Sequence, residues 1–122
     1  MNNKKNGQVK NPTQLDTFVN VIDIFRNIDS EFPIQYMLCL AEIARTEGVS
    51  LTELAERTQM SLSTVSRVVG ALSNYRSNNQ PYKLVSMQVS KTERRRKELS
   101  LTAKGHSLIN KLNKVLYNSS EK

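Results

Sequence analysis

Scarcity is informative in this 122-residue sequence. One cysteine, Cys39, excludes an intramolecular disulfide framework and a cysteine-rich zinc site. With His106 as its one histidine, the chain would need an unusual carboxylate set to hold a metal. Four glycines make a glycine-rich phosphate cradle hard to build, and no Ser-His-acid set or pair of catalytic carboxylates is recognisable. No catalytic residue, cofactor or metal ligand is therefore expected. No apolar run approaches the roughly 20 residues that cross a bilayer. The opening residues Met1-Asn2-Asn3-Lys4-Lys5-Asn6-Gly7 have no apolar core after their lysines, so no secretory leader is expected. The length suits one domain with short tails, and the expected compartment is the cytoplasm.

What is abundant is positive charge, unevenly placed. Residues 1–61 carry six Lys/Arg and eight Asp/Glu, whereas residues 62–122 carry twelve and three, for an overall +7. A chain balanced in one half and strongly basic in the other offers a face to a polyanion. Nucleic acid leads and an anionic membrane surface follows; charge alone does not separate them.

Apolar periodicity supplies the elements. Residues 1–12 are polar, Asn/Lys-rich and end at Asn11-Pro12, the composition of a mobile arm. Leu15, Phe18, Val19, Ile22 and Phe25 recur three and four apart, predicting a helix that stops near Asp29-Ser30. A second helix opens at Pro33 and is apolar on most sides, hence central; Gly48 is free to take a left-handed conformation at its end. Ser50-Leu51-Thr52-Glu53 is a capping box that starts a short third helix, interrupted at Thr58-Gln59-Met60. Ser61 caps a fourth, whose Leu62, Val65, Val69 and Leu72 point inward together. Residues 74–82 read as a long loop. Residues 84–89 and 98–101 alternate as the strands of a two-stranded hairpin with a basic tip. Thr102 caps a last helix striped by Leu108, Ile109, Leu112, Val115 and Leu116. The expected organisation is an arm over 1–12, a domain over 13–117 and a frayed tail over 118–122. The fold class is mainly α with a small β-hairpin, in the element order of a winged helix-turn-helix.

Two features of that order point to a duplex. A helix entering a major groove needs small or hydrogen-bonding side chains near its start, and Ser61, Ser63, Thr64 and Ser66 satisfy this, with Arg67 one turn along to reach a guanine edge or a phosphate. Taken alone, the segment is equally a serine-capped surface helix. Lys91, Arg94, Arg95, Arg96 and Lys97 concentrate cations at the hairpin tip, where they can reach phosphates or a narrow minor groove. Taken alone, that is a solvated turn; the coincidence of the two is the argument. Arg76, in the long loop, is a further phosphate candidate.

The stretches Leu51-Thr52-Glu53-Leu54-Ala55-Glu56-Arg57, Ser61-Leu62-Ser63-Thr64-Val65-Ser66-Arg67 and Glu93-Arg94-Arg95-Arg96-Lys97-Glu98-Leu99-Ser100-Leu101-Thr102-Ala103-Lys104-Gly105 together resemble the MarR family of transcription regulators. That family shows an acidic-arginine-arginine wing followed by Leu-Thr-x-x-Gly at the start of the C-terminal helix. The resemblance spans about residues 33–110. It implies a homodimer with interleaved terminal helices, a recognition helix in each major groove and wing arginines at the flanking minor grooves. On this chain the wing role falls to Arg94 or Arg95 and base reading to Ser63, Thr64 and Arg67. The sequence departs from the family in three ways: Ser90 and Glu93 stand where two aspartates are common, the loop before the wing is longer, and the C-terminal region is reduced to one helix. The last two features are similar to short phage and mobile-element members.

The stripes Leu15, Phe18, Val19, Ile22 and Leu108, Ile109, Leu112, Val115, Leu116 are the expected dimer contacts, since each buried side chain of this kind contributes about 1.5–3 kcal/mol. Packing within a monomer is the alternative. Cys39, among Met37, Leu38 and Leu40 with no adjacent cation, reads as a buried structural thiol rather than a peroxide sensor. His106 reads as a polar surface residue, and Tyr75 and Tyr82 as a cover for the base of the wing. The expected partners are double-stranded DNA and a second copy of the chain, with no membrane and no assigned small-molecule effector. A replication initiator or accessory factor with the same fold, or a protein-interaction module with an acidic partner, are the competing functions.

Overall fold

A computed structural model describes residues 13–74 and 81–120. The expected arm over 1–12, Tyr75, Arg76 and the last two residues lie outside the described residues. The chain groups into two compact units, Phe32–Ile109 and a second formed by Met1–Glu31 with Asn110–Lys122.

In the larger unit, α2 (Ile34–Arg45) packs on both α3 (Leu51–Thr58) and α4 (Leu62–Leu72), and α3 packs on α4. Their shared core is Cys39, Leu40, Ile43, Leu54, Val65, Val68, Val69 and Leu72, all at 1% exposure or less. The central place expected for α2 is thus observed on one side only: Ile34 and Leu38 remain 77% and 43% exposed.

Local chemistry fixes the boundaries. Ser50 Oγ accepts from the Glu53 N–H (3.1 Å) while Glu53 Oε1 accepts from the Ser50 N–H (3.0 Å), so both orphan donors at the start of α3 are satisfied. Gln59 closes α3 in the left-handed region at φ 58°, and Gly48 at φ 96° turns the chain out of α2. Ser61 caps α4 by accepting from the Thr64 N–H.

Two expectations are corrected here. Leu62 is 50% exposed and does not join the buried stripe; Val68, fully buried, takes that place. Leu62 is the first helical residue, at the margin of the face formed by Val65, Val68, Val69 and Leu72. The sheet also has three strands, not two. β2 (Val85–Val89) and β3 (Lys97–Leu101) form the hairpin, and β1 (Val49–Ser50) adds to the other edge of β3, giving the antiparallel order β1-β3-β2. Val49 pairs with Leu99 and Ser50 with Glu98, and the Gly48 N–H extends the ladder to the Leu99 carbonyl at 2.7 Å. A two-residue strand has no period to detect, so only its pairing reveals it. Tyr82 is 5% exposed and its ring packs against those of Phe32 and Tyr36, at the start of α2.

The smaller unit contains α1 (Gln14–Arg26), which ends three residues before the expected Asp29-Ser30 stop, and the end of α5 (Ala103–Ser120). A capping box of Thr13 and Asp16 starts α1. α5 continues past residue 117, where the tail was expected to fray. Leu15, Phe18, Val19, Leu116 and Tyr117 are each at least half exposed, while Ile22, Leu112 and Val115 are partly buried. Ile109, the last residue of the larger unit, is partly buried, and its neighbour Leu108, at 6% exposure, already belongs to a core.

Candidate nucleic-acid interface

The side chains at the start of α4 are organised by the cap. Ser61 Oγ holds the Thr64 N–H at 3.1 Å, donates to Thr64 Oγ1 at 2.9 Å and lies 3.2 Å from Ser63 Oγ. Ser61 is therefore committed to the helix terminus, and it orients the hydroxyls of its two neighbours. Ser63, Ser66 and Arg67 are exposed and Thr64 is partly buried. Hydroxyl and guanidinium groups thus cover the outer face of α4 while its opposite face supplies the core.

The wing is shaped by Ser90. This residue is 6% exposed, and its Oγ accepts from the N–H groups of Thr92 and Glu93, both at 3.2 Å. A serine here performs the turn-forming task that an aspartate carboxylate would perform. The Ser90 N–H donates to the Arg96 carbonyl at 2.7 Å, and the Arg96 N–H returns to the Glu93 carbonyl at 2.9 Å, closing the tip. Lys91, Arg94, Arg95 and Lys97 are exposed and make no ion pair among the described residues.

Arg96 differs from its neighbours. Its Nη2 and Nη1 fork onto Glu53 Oε1 and Oε2 at 3.0 and 3.3 Å, its Nε donates to Glu98 Oε2 at 3.2 Å, and its Nη2 also donates to the Gly48 carbonyl at 3.1 Å. Four of its five N–H groups are thereby engaged inside the protein. Hydrogen bonds from Arg96, then from the Ser50 backbone, hold the Glu53 carboxyl down to about 2, and the same pair raises the Arg96 guanidinium further above its ordinary value. Sequence reasoning grouped Arg96 with the free cations of the tip; the structure turns it inward. The capping box singled out Glu53, but nothing local shows that its carboxylate also receives a guanidinium from 43 residues away.

These parts open on one cleft of about 550 Å³, lined by residues 50–53 and Glu56 from the start of α3, Leu62 and Ser66 from α4, and Glu93, Arg95, Arg96 and Lys97 from the wing. Leu62 and Ser66 of α4 and the wing therefore border the same opening, whereas Ser61, Ser63, Thr64, Arg67, Lys91 and Arg94 are not among its lining residues. Of the expected contacts, Ser66, Arg95, Arg96 and Lys97 line it directly. Leu62, Glu53 and Glu56 are lining residues that sequence reasoning did not place there.

The residues set aside as structural behave accordingly. Cys39 is fully buried, and burial, with Glu42 nearby, pushes its thiol up to about 11. His106 is a half-exposed helix residue 3.5 Å from Glu47. Among the described residues no three His, Cys, Asp or Glu side chains cluster to hold a metal, and no helix is long and apolar enough to cross a membrane.

Comparison with known proteins agrees with this geometry. A family model for the IclR helix-turn-helix domain matches residues 37–76, which contain most of α2, the whole of α3 and α4, and not the wing. No curated protein matches the chain by sequence. Among solved structures, S. aureus MepR in complex with DNA is similar with a TM-score of 0.68 at 19% identity, over 84% of this chain and 78% of that one. Streptococcus pneumoniae FabT in complex with DNA is similar at 0.61 and 24% identity, over 87% and 72%. MarR is similar at 0.59 and 19% identity, over 89% and 80%. The fold is a MarR-like winged helix-turn-helix.

Proposed function

We propose that this protein is a sequence-specific double-stranded DNA-binding transcription regulator that acts as a homodimer. The observation that carries the proposal is the shared cleft, with Leu62 and Ser66 of α4 on one wall and Arg95 and Lys97 of the wing on another. α4 enters the major groove, where Ser63, Thr64 and Arg67 read base edges. The wing reaches the flanking minor groove through Arg94 and Arg95, and Lys91 and Lys97 neutralise phosphates. Ser61 caps the helix that presents these groups, and Ser66 faces the sugar–phosphate strand between the grooves. MepR and FabT, which share the fold, have been captured on DNA.

Dimerisation rests on the exposed stripe Leu15, Phe18 and Val19 on α1, and on Leu116 on α5. Apolar side chains recurring at helical spacing on an open surface call for a partner, and a two-fold dimer would set half-sites about one helical turn apart. The test is in-vitro selection of duplexes bound by the purified protein. The expected result is a pseudo-palindromic consensus with that spacing; failure to enrich any duplex at low salt overturns the proposal.

A further inference from the structure

The pairing that anchors the wing to the helix-turn-helix is short: β1 offers β3 only Val49 and Ser50, and the register ends at Ser50↔Glu98. Arg96 lies two residues nearer the tip. Its guanidinium joins three separate places: the carbonyl of Gly48 before β1, the carboxylate of Glu53 in the first turn of α3, and Glu98 on β3. The first of those places precedes the helix-turn-helix and the second lies in its first helix, α3, which packs directly on α4. A planar fork gripping a carboxylate at two points fixes orientation as well as distance, which a point charge does not.

Resting on the DNA-binding reading above, we propose that Arg96 is a positioning residue. With Glu53 it sets the angle between the wing tip and α4, so that Arg94 and Arg95 are held where the flanking minor groove lies. Arg96 itself contributes no phosphate contact. Lys91, Arg94, Arg95 and Lys97 remain the cations of the tip that face solvent.

The experiment compares two duplexes carrying the selected site: a core of about 16 base pairs, and one extended by about half a helical turn at each end to include the flanks. The proteins are wild type, Arg96→Gln, Glu53→Gln and the double variant. Gln at position 53 retains an acceptor for the Ser50 N–H, so the capping box is spared. Wild type gains affinity on extension of the duplex. Each single variant loses that gain, the double variant loses no more than either, and binding to the core duplex stays within about twofold of wild type.

The sign of the Glu53→Gln effect separates the alternatives. Removing a negative charge beside a polyanion strengthens binding when nothing else changes. Were Arg96 a direct phosphate contact, Glu53→Gln would bind the extended duplex at least as tightly as wild type while Arg96→Gln bound it more weakly; that result overturns the proposal. Arg96→Lys covers the case in which Gln variants fold poorly. It keeps the charge and loses the fork, so it also loses the extension gain, and full retention overturns the role of the fork. Amide exchange on the free proteins needs no DNA: Arg96→Gln and Glu53→Gln speed exchange of the wing tip and leave α4 unchanged. Unaltered wing exchange refutes the strut even if the protein proves not to bind DNA, whereas absent binding with accelerated wing exchange refutes only the functional reading.

Discussion

Glu53 serves two partners with one carboxylate, and this gives the molecule an acid-sensitive joint. Its carboxyl is held at about 2 in the folded chain, below its ordinary 4.5. A lowered folded-state value means that the stabilisation is fully present above about pH 4.5 and fades as the pH falls toward 2, where the unfolded chain takes up the proton first. The difference in melting temperature between wild type and Glu53→Gln should therefore be largest near neutrality and shrink steadily as the pH falls from about 4.5 through about 2; a constant difference would show that the ionised form is not the one that matters. Burial makes a second contrast. Leu72→Ala, at a fully buried position, should cost about 2–5 kcal/mol in urea unfolding. Leu62→Ala, at a half-exposed one, should stay within about 0.5 kcal/mol. Ser61, Ser50 and Gly48 were legible from sequence because caps and left-handed turns are local chemistry. Arg96 was not, because a basic run looks the same whether its members face water or a carboxylate from a distant segment.

The helices were readable because each has an apolar period, to which α3, α4 and α5 add a local cap; α2 starts at Pro33 without a side-chain cap, and the capping box of Thr13 and Asp16 on α1 emerged only with the structure. β1 was not readable, since Val49 and Ser50 become a strand only by pairing with β3. The start of α5 shows how the wing and the helix after it depend on one another. Thr102 Oγ1 accepts from the Gly105 N–H at 3.0 Å and donates to the Lys83 carbonyl at 2.8 Å, so the helix cap also ties down the chain leading into β2. At Gly105 a methyl group would collide with the Leu84 backbone carbonyl and press on the Leu101 side chain. Backbone cannot swing aside as the end of a long side chain can. Gly105→Ala should therefore cost at least about 1–3 kcal/mol, measured by thermal or denaturant unfolding. Unchanged stability would mean that α5 can shift away from the loop before β2.

The chain brings Leu62 and Ser66 of α4 and the basic wing onto one cleft, and carries an apolar stripe in its smaller unit. Phe18→Glu together with Leu116→Glu should convert a dimer to a monomer in sedimentation velocity and sharply weaken binding to a two-half-site duplex; a variant that remains dimeric would place the interface elsewhere. The charge imbalance between the two halves was visible in the sequence and indicated a polyanion. Which cations stand unpaired required the structure, which pairs Arg96 with Glu53 and Glu98 and leaves Lys91, Arg94, Arg95 and Lys97 exposed with no ion pair among the described residues. The most direct test is therefore the salt dependence of duplex binding by fluorescence anisotropy, for wild type and for Arg94→Ala with Arg95→Ala. Every phosphate that the protein ceases to neutralise lowers the slope of log K against log salt by about 0.9. The double variant should bind the selected duplex more weakly and with a slope shallower by about one to two; an identical slope and affinity would contradict a wing that touches DNA.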